Sequence, residues 1–185
     1  MIKVIESHLI YASDYFELYE DLIKAEDTII GENLEGNKDK IKTYQRINIP
    51  NENVVIVPIF SDGSLLMIEI YRYQLDKALL ELPSGTIEKK EEPLDTARKE
   101  LLEETGYQAK TLEYRGWFYT WPSKMNQKVH VFVAKELQKV SGQNLEGGEG
   151  IKVKIITKDE LTSKLKSNEI KTSITISALL RGYFL

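Results

Sequence analysis

Three glutamates, Glu100, Glu103 and Glu104, stand at i, i+3 and i+4 near the end of ELPSGTIEKKEEPLDTARKELLEETGY, residues 81–107. If the stretch is helical, a turn of about 100° per residue brings all three into one polar sector. Like charges at i,i+4 cost roughly 0.2–0.5 kcal/mol per pair, so the arrangement is unfavourable alone and calls for a cation. A hard divalent ion answers it, because Mg²⁺ takes a few carboxylates and completes its shell with waters and phosphate oxygens. Taken alone, the spacing is also that of a solvated acidic helix face, the commoner use of such runs.

Residues 92–105 do read as a helix. Pro93 suits the first turn, Leu94, Ala97 and Leu101 recur at three and four toward a core, and Gly106 stands where a C-cap belongs. Ahead of it, VVIVPIF at 54–60 and LLMIEIY at 65–71 flank Asp62-Gly63, the signature of a hairpin between two strands. Residues 116–121 and KVHVFVA from Lys128 read as two further strands around Pro122. SGQNLEGGEG at 141–150 is too polar to pack and reads as a mobile loop leading into the strand-like IKVKII. Thr157 and Glu160 have capping-box spacing for a short helix, and residues 172–185 read as a C-terminal helix with Ile174, Ile176, Leu179 and Leu180 inward. In the first fifty residues, period-two alternation at 16–22 and 41–49 predicts strands around a hairpin loop at 31–40. The expected organisation is a small antiparallel β appendage over residues 1–50 and a main α/β domain over 51–185.

Composition narrows the chemistry further. With 185 residues, 42% hydrophobic and 29% charged, the chain has the make-up of an ordinary globular protein. A net charge of -4 and no basic tail give no electrostatic reason to bind long nucleic acid, which favours small ligands. The absence of cysteine excludes disulfides, thiolate zinc sites and a cysteine nucleophile. Only His8 and His130 are present, neither in a metal spacing, so both are read as structural and the chemistry falls to carboxylates. Acids scattered through the N-terminal stretch argue against a signal peptide, and no apolar run approaches membrane-span length, so the expected location is cytoplasmic.

Gly85, Glu91 six residues on, and then Glu100, Leu101, Glu103, Glu104 and Gly106 match the Nudix box, GX5EX7REUXEEXGU, with Tyr107 as the closing apolar residue. At average composition, agreement at those seven positions by chance is below about one in a million. The chain thus resembles the Nudix hydrolase family, which implies an α/β/α sandwich with a mixed sheet. Tyr71-Arg72-Tyr73, the run Glu81-Leu82-Pro83-Ser84-Gly85, and Pro122 sixteen residues after Gly106 are similar to the ADP-ribose pyrophosphatase branch. One position departs from the box: Lys99 stands where the family has arginine, offering a point charge in place of a bidentate fork.

The resemblance implies roles. Glu100, Glu103, Glu104 and the backbone carbonyl of Ser84 would hold Mg²⁺, with Mn²⁺ an alternative, and Glu103 is counted among the catalytic groups as well. Glu91 would brace the helix through Lys99. Glu149, and after it Glu146, would activate the attacking water. Arg72, Glu81 and Pro122 would contact a nucleoside diphosphate substrate, and Phe16 or Tyr15 would sandwich its base. Trp117, Phe118, Tyr119 and Trp121 are either a stacking surface or core plus interface. The appendage implies a homodimer, and neither nucleic acid nor membrane is an expected partner. ADP-ribose is the expected substrate. A nucleoside diphosphate sugar such as GDP-mannose or UDP-glucose, a dinucleoside polyphosphate, and a non-catalytic nucleotide sensor are the alternatives. Residues 81–107 hold eight acids and four bases, so the rest of the chain is neutral and the whole net charge lies in the motif.

Overall fold

The computed structural model describes residues 2–25, 41–145 and 150–185. The chain divides into two units, Met1–Pro50 with Trp121–Gln127, and Asn51–Thr120 with Lys128–Leu185.

In the first unit, alternating Tyr, Ile and Leu form the antiparallel strands β1 (Ile2–Ala12), β2 (Glu17–Ala25) and β3 (Ile41–Asn48), in that order across the sheet. Asp21 is buried on β2, where its carboxylate accepts from Ser7 of β1 and Arg46 of β3, each at 2.6 Å. The Arg46 guanidinium lies 4.1 Å from the centre of the Tyr19 ring. The loop expected at 31–40 lies outside the described residues. Residues 121–127 join this unit through backbone bonds, with Lys124 accepting from the Ile47 amide and the Asn126 side chain from that of Ile49.

The second unit carries β4 (Asn53–Pro58), β5 (Leu65–Arg72), β6 (Lys77–Glu81), β7 (Ser84–Thr86), helix α1 (Pro93–Thr105), β8 (Tyr107–Tyr119), β9 (Lys128–Lys139), β10 (Ile151–Ile156), and helices α2 (Lys158–Lys166) and α3 (Ser173–Leu179). A mixed sheet runs β7-β4-β9-β8, its one parallel pair being β4 with β9, and an antiparallel sheet runs β10-β5-β6. Val54, Ile56, Phe132 and Ala134 face Ala97 and Leu101 of α1. Val55, Val57, Val131 and Val133 face Leu161 of α2 and Ala178 and Leu179 of α3. Helices on both faces of a mixed sheet make the expected α/β/α sandwich. Each fully buried leucine or valine contributes about 1.5–3 kcal/mol relative to exposure.

Two expectations change. β4 and β5 do not form a hairpin; past a single bridge between Ile59 and Leu65 they part into different sheets, although Asp62 and Gly63 do turn the chain. The reason is burial: Val54–Val57 and Leu65–Met67 are covered on both faces, which an exposed two-stranded ribbon cannot provide. The C-terminal helix keeps half of the expected face inward, Leu179 buried and Ile174 packed on the core, and turns the other half out. Ile176 and Leu180 are 43% and 55% exposed, while Thr175, Ala178 and Leu179 are buried. Beyond α3 the backbone runs close to the sheet, where a Cβ on Gly182 would come within 2.8 Å of Val57. α3 ends at Leu179 and continues as a wider π turn over Leu180–Phe184.

Candidate active site

α1 begins at Pro93 and closes on Gly106, whose φ of +75° suits a residue without Cβ and whose amide bonds the Leu102 carbonyl. The helix lies against the short strand β7. Glu104 is 6% exposed, and its Oε2 accepts the Ser84 N–H at 3.0 Å. Gly85 touches the Glu100 carboxylate so closely that a Cβ there would overlap it, which explains the glycine. Ser84, Glu100 and Glu104 are thus brought together, with Glu103 beside them on the same helix. Lys99 Nζ reaches to 3.9 Å from Glu103, one turn on. Glu91 Oε2 accepts the hydroxyl of Thr96, a buried residue that the sequence reading passed over, 2.9 Å away. Its only sequence signal is a hydroxyl five residues after Glu91, in the first turn of the helix.

The donor set is all oxygen, and one carboxylate is buried and oriented by a backbone amide, which fits a hard divalent cation. Among the described residues no group of three or more acidic or histidine side chains is placed to hold a metal ion. Mg²⁺ is held through one or two carboxylates together with waters and substrate phosphates rather than by an all-protein cage.

The end of α1 is fastened by the segment read as a mobile loop. Gln143 Nε2 donates to the Glu104 carbonyl at 2.7 Å and to Ile151 at 3.2 Å, and the Asn144 N–H donates to the Glu103 carbonyl at 2.9 Å. Leu145 packs on Ile68, Ile70 and Ile151. The polar residues 143–144 are therefore fixed, because the last carbonyls of a helix need donors and these supply them. Glu146 and Glu149 lie outside the described residues.

Beside Ser84 opens a cleft of about 650 Å³, walled by Tyr71, Arg72, Leu79, Glu81 and Thr172. Arg72 does not stand alone in it: Nε and Nη2 bond Oε1 and Oε2 of Glu81 at 3.0 and 2.8 Å. The Tyr71 hydroxyl donates to Asp76 at 2.7 Å, which holds its pKa above the usual phenol value.

Phe16, its ring 5.6 Å from Tyr11, the 83%-exposed Tyr15, and Pro122 belong to the first unit. Phe118 packs on the core, whereas Trp117 and Tyr119 are exposed and pack edge to face. His130 has a partner on each ring nitrogen: Nδ1 pairs with the Tyr114 hydroxyl at 3.1 Å and Nε2 with Glu52 at 2.5 Å. Glu52 also takes Lys128 at 2.8 Å; desolvation opposes its charge, but the His130 and Lys128 hydrogen bonds outweigh it and lower its pKa.

An α/β/α fold with a glutamate-bearing helix docked on a glycine turn defines a class. Residues 50–176 match the family model described as NUDIX domain, and the chain belongs to that family of hydrolases. It is 35% identical over 127 residues to an ADP-ribose pyrophosphatase of Bacillus subtilis (strain 168), covering 68% of this chain and 69% of that one. The same identity and coverage relate it to a methanol dehydrogenase activator of Bacillus methanolicus. A crystal structure of an ADP compounds hydrolase superposes with a TM-score of 0.79 at 23% identity, covering 97% of this chain and 90% of that one, a likeness of fold. No helix among the described residues is long and apolar enough to cross a membrane.

Proposed function

We propose that this Nudix hydrolase cleaves the diphosphate linkage of a nucleoside diphosphate derivative, with ADP-ribose giving AMP and ribose 5-phosphate. The observation that carries the reading is the docking of Glu100 and Glu104 on the Ser84-Gly85 turn at the edge of the cleft. Similarity to the Bacillus subtilis ADP-ribose pyrophosphatase supports ADP-ribose.

In this reading Glu100, Glu103, Glu104 and the Ser84 carbonyl hold Mg²⁺ or Mn²⁺. When bound, the metal supplies positive charge against the diphosphate oxygens and makes a nearby water more acidic. The Ser84 amide keeps Glu104 aimed, and Gly85 leaves room for Glu100. Glu149, or Glu146 in its place, takes the water proton as the new P–O bond forms at one phosphorus and the bridging P–O bond breaks. The Arg72–Glu81 pair positions the substrate beside this turn.

A homodimer through the first unit belongs to the same proposal. All eleven residues of β1 are exposed in the single chain, among them Val4 at 53% and Leu9 at 54%. An apolar edge strand of that length favours pairing with another chain.

The test is product release from ADP-ribose, GDP-mannose, UDP-glucose and a dinucleoside polyphosphate, with and without Mg²⁺. ADP-ribose should be turned over fastest, and only with metal. Glu104→Gln should lower kcat about 100-fold or more while the fold survives, since the amide oxygen can still accept from Ser84. Turnover unchanged in that variant refutes the metal assignment. Slowing by Glu149→Gln but not by Glu146→Gln identifies the base, and the reverse moves the role to Glu146.

A further inference from the structure

The segment 82–84 carries the chain from β6 in one sheet to β7 in the other, and its backbone groups are held from three directions. The Pro83 carbonyl accepts the Ile56 N–H of β4 at 2.8 Å. The Ser84 N–H donates to Glu104 of α1 at 3.0 Å. The Leu82 N–H donates to the Thr175 hydroxyl of α3 at 3.3 Å. Pro83 has no N–H, so Leu82 and Ser84 are the crossing's amide donors, and each has one fixed acceptor. Leu82 and Thr175 are each 1% exposed, so water cannot replace the hydroxyl. Thr172 donates its own hydroxyl to Thr175 at 2.8 Å, which orients the acceptor.

We propose that Thr175 is a positioning residue for the metal-binding turn: by fixing the Leu82 amide it sets the Ser84 amide against Glu104. It touches neither metal nor reacting phosphate in this role. The inference rests on the hydrolase reading above for its catalytic consequence. The geometric part stands on the three bonds alone.

Thr175→Val keeps the shape and removes the acceptor, and Thr175→Ser keeps the acceptor and removes a methyl group. Amide hydrogen exchange followed by NMR should show Leu82 and Ser84 losing protection in Thr175→Val, while amides of β9 keep theirs. Mn²⁺ titration followed by electron paramagnetic resonance should show a Kd raised about 10-fold, and kcat for ADP-ribose should fall by a similar factor. Thr175→Ser should return all three to within about threefold of wild type. Wild-type Ser84 protection and Mn²⁺ affinity in Thr175→Val overturn the proposal, as does a Thr175→Ser variant as impaired as the valine. If the wild type binds Mn²⁺ but hydrolyses none of the diphosphates, the function proposed above fails, while exchange and Mn²⁺ binding still decide the role of Thr175. Should Thr175→Val not fold, Thr172→Val removes the orienting hydroxyl; because Thr172 also walls the cleft, Leu82 and Ser84 protection and Mn²⁺ affinity decide there, and they should show the same losses in weaker form, wild-type values overturning the proposal.

Discussion

Arg72 grips both carboxylate oxygens of Glu81 in a planar fork, Nε to Oε1 at 3.0 Å and Nη2 to Oε2 at 2.8 Å. The Glu81 side chain is 10% exposed and that of Arg72 is 44% exposed, so a nearly buried carboxylate aims a cation that still reaches the cleft. Arg72→Lys keeps the charge and loses the fork. Losing one charge-assisted arm is worth roughly 1.5 kcal/mol, so KM for ADP-ribose should rise about tenfold with kcat less affected. Steady-state kinetics check it, and an unchanged KM removes Arg72 from the binding surface.

Gly85 is a test of packing against charge. A Cβ at this position overlaps the Glu100 carboxylate, so Gly85→Ala must push that side chain away from the turn. The strain falls on a half-exposed glutamate, so the fold should survive with a small drop in Tm. Divalent-dependent turnover should fall about 10- to 100-fold. Full activity in Gly85→Ala would show that Glu100 need not lie where it does.

Asp21 makes the first unit sensitive to acid. Desolvation opposes its charge, but hydrogen bonds from Ser7 and Arg46 outweigh burial and hold its pKa below the usual aspartate value. A folded-state pKa below the unfolded one means that the stabilisation is fully present above about pH 4 and is lost as pH falls through the folded value. Asp21→Asn should cost about 1–3 kcal/mol at neutral pH, and the difference from wild type should shrink with acidification. Thermal melts and amide exchange in β2 and β3 between pH 7 and pH 3 would measure it, and a gap that stays constant with pH contradicts the pairing.

The exposed β1 strand predicts an assembly. Light scattering should give twice the 21.3 kDa chain mass for the wild type. Val4→Lys with Leu9→Lys places two charges on one sheet face, because both residues stand opposite β2 residues of that face. The double variant should run as a monomer. A wild type that is already monomeric at micromolar concentration ends the dimer proposal.

Much of this protein is legible in its residues because much of it is local. The α1 helix, its Gly106 cap, the Thr157–Glu160 capping box and the spacing of Glu100, Glu103 and Glu104 depend on neighbours within a few positions, so sequence alone determines them. The family follows from the same short range, since Gly85 and the glutamates lie within one stretch. The tertiary structure decided what depends on distant partners. Asp62-Gly63 marks a turn in either arrangement, and only burial on both faces of β4 and β5 sends the strands into different sheets. Which residues of the C-terminal helix face inward was set by packing on the sheet, where Thr175 and Ala178 join Leu179 while Ile176 and Leu180 stay exposed. Gln143 looks like loop filler until the Glu104 carbonyl needs a donor. Thr175 stands 93 residues from Leu82, and no periodicity or motif links a hydroxyl to an amide at that separation; folding alone brings them to 3.3 Å.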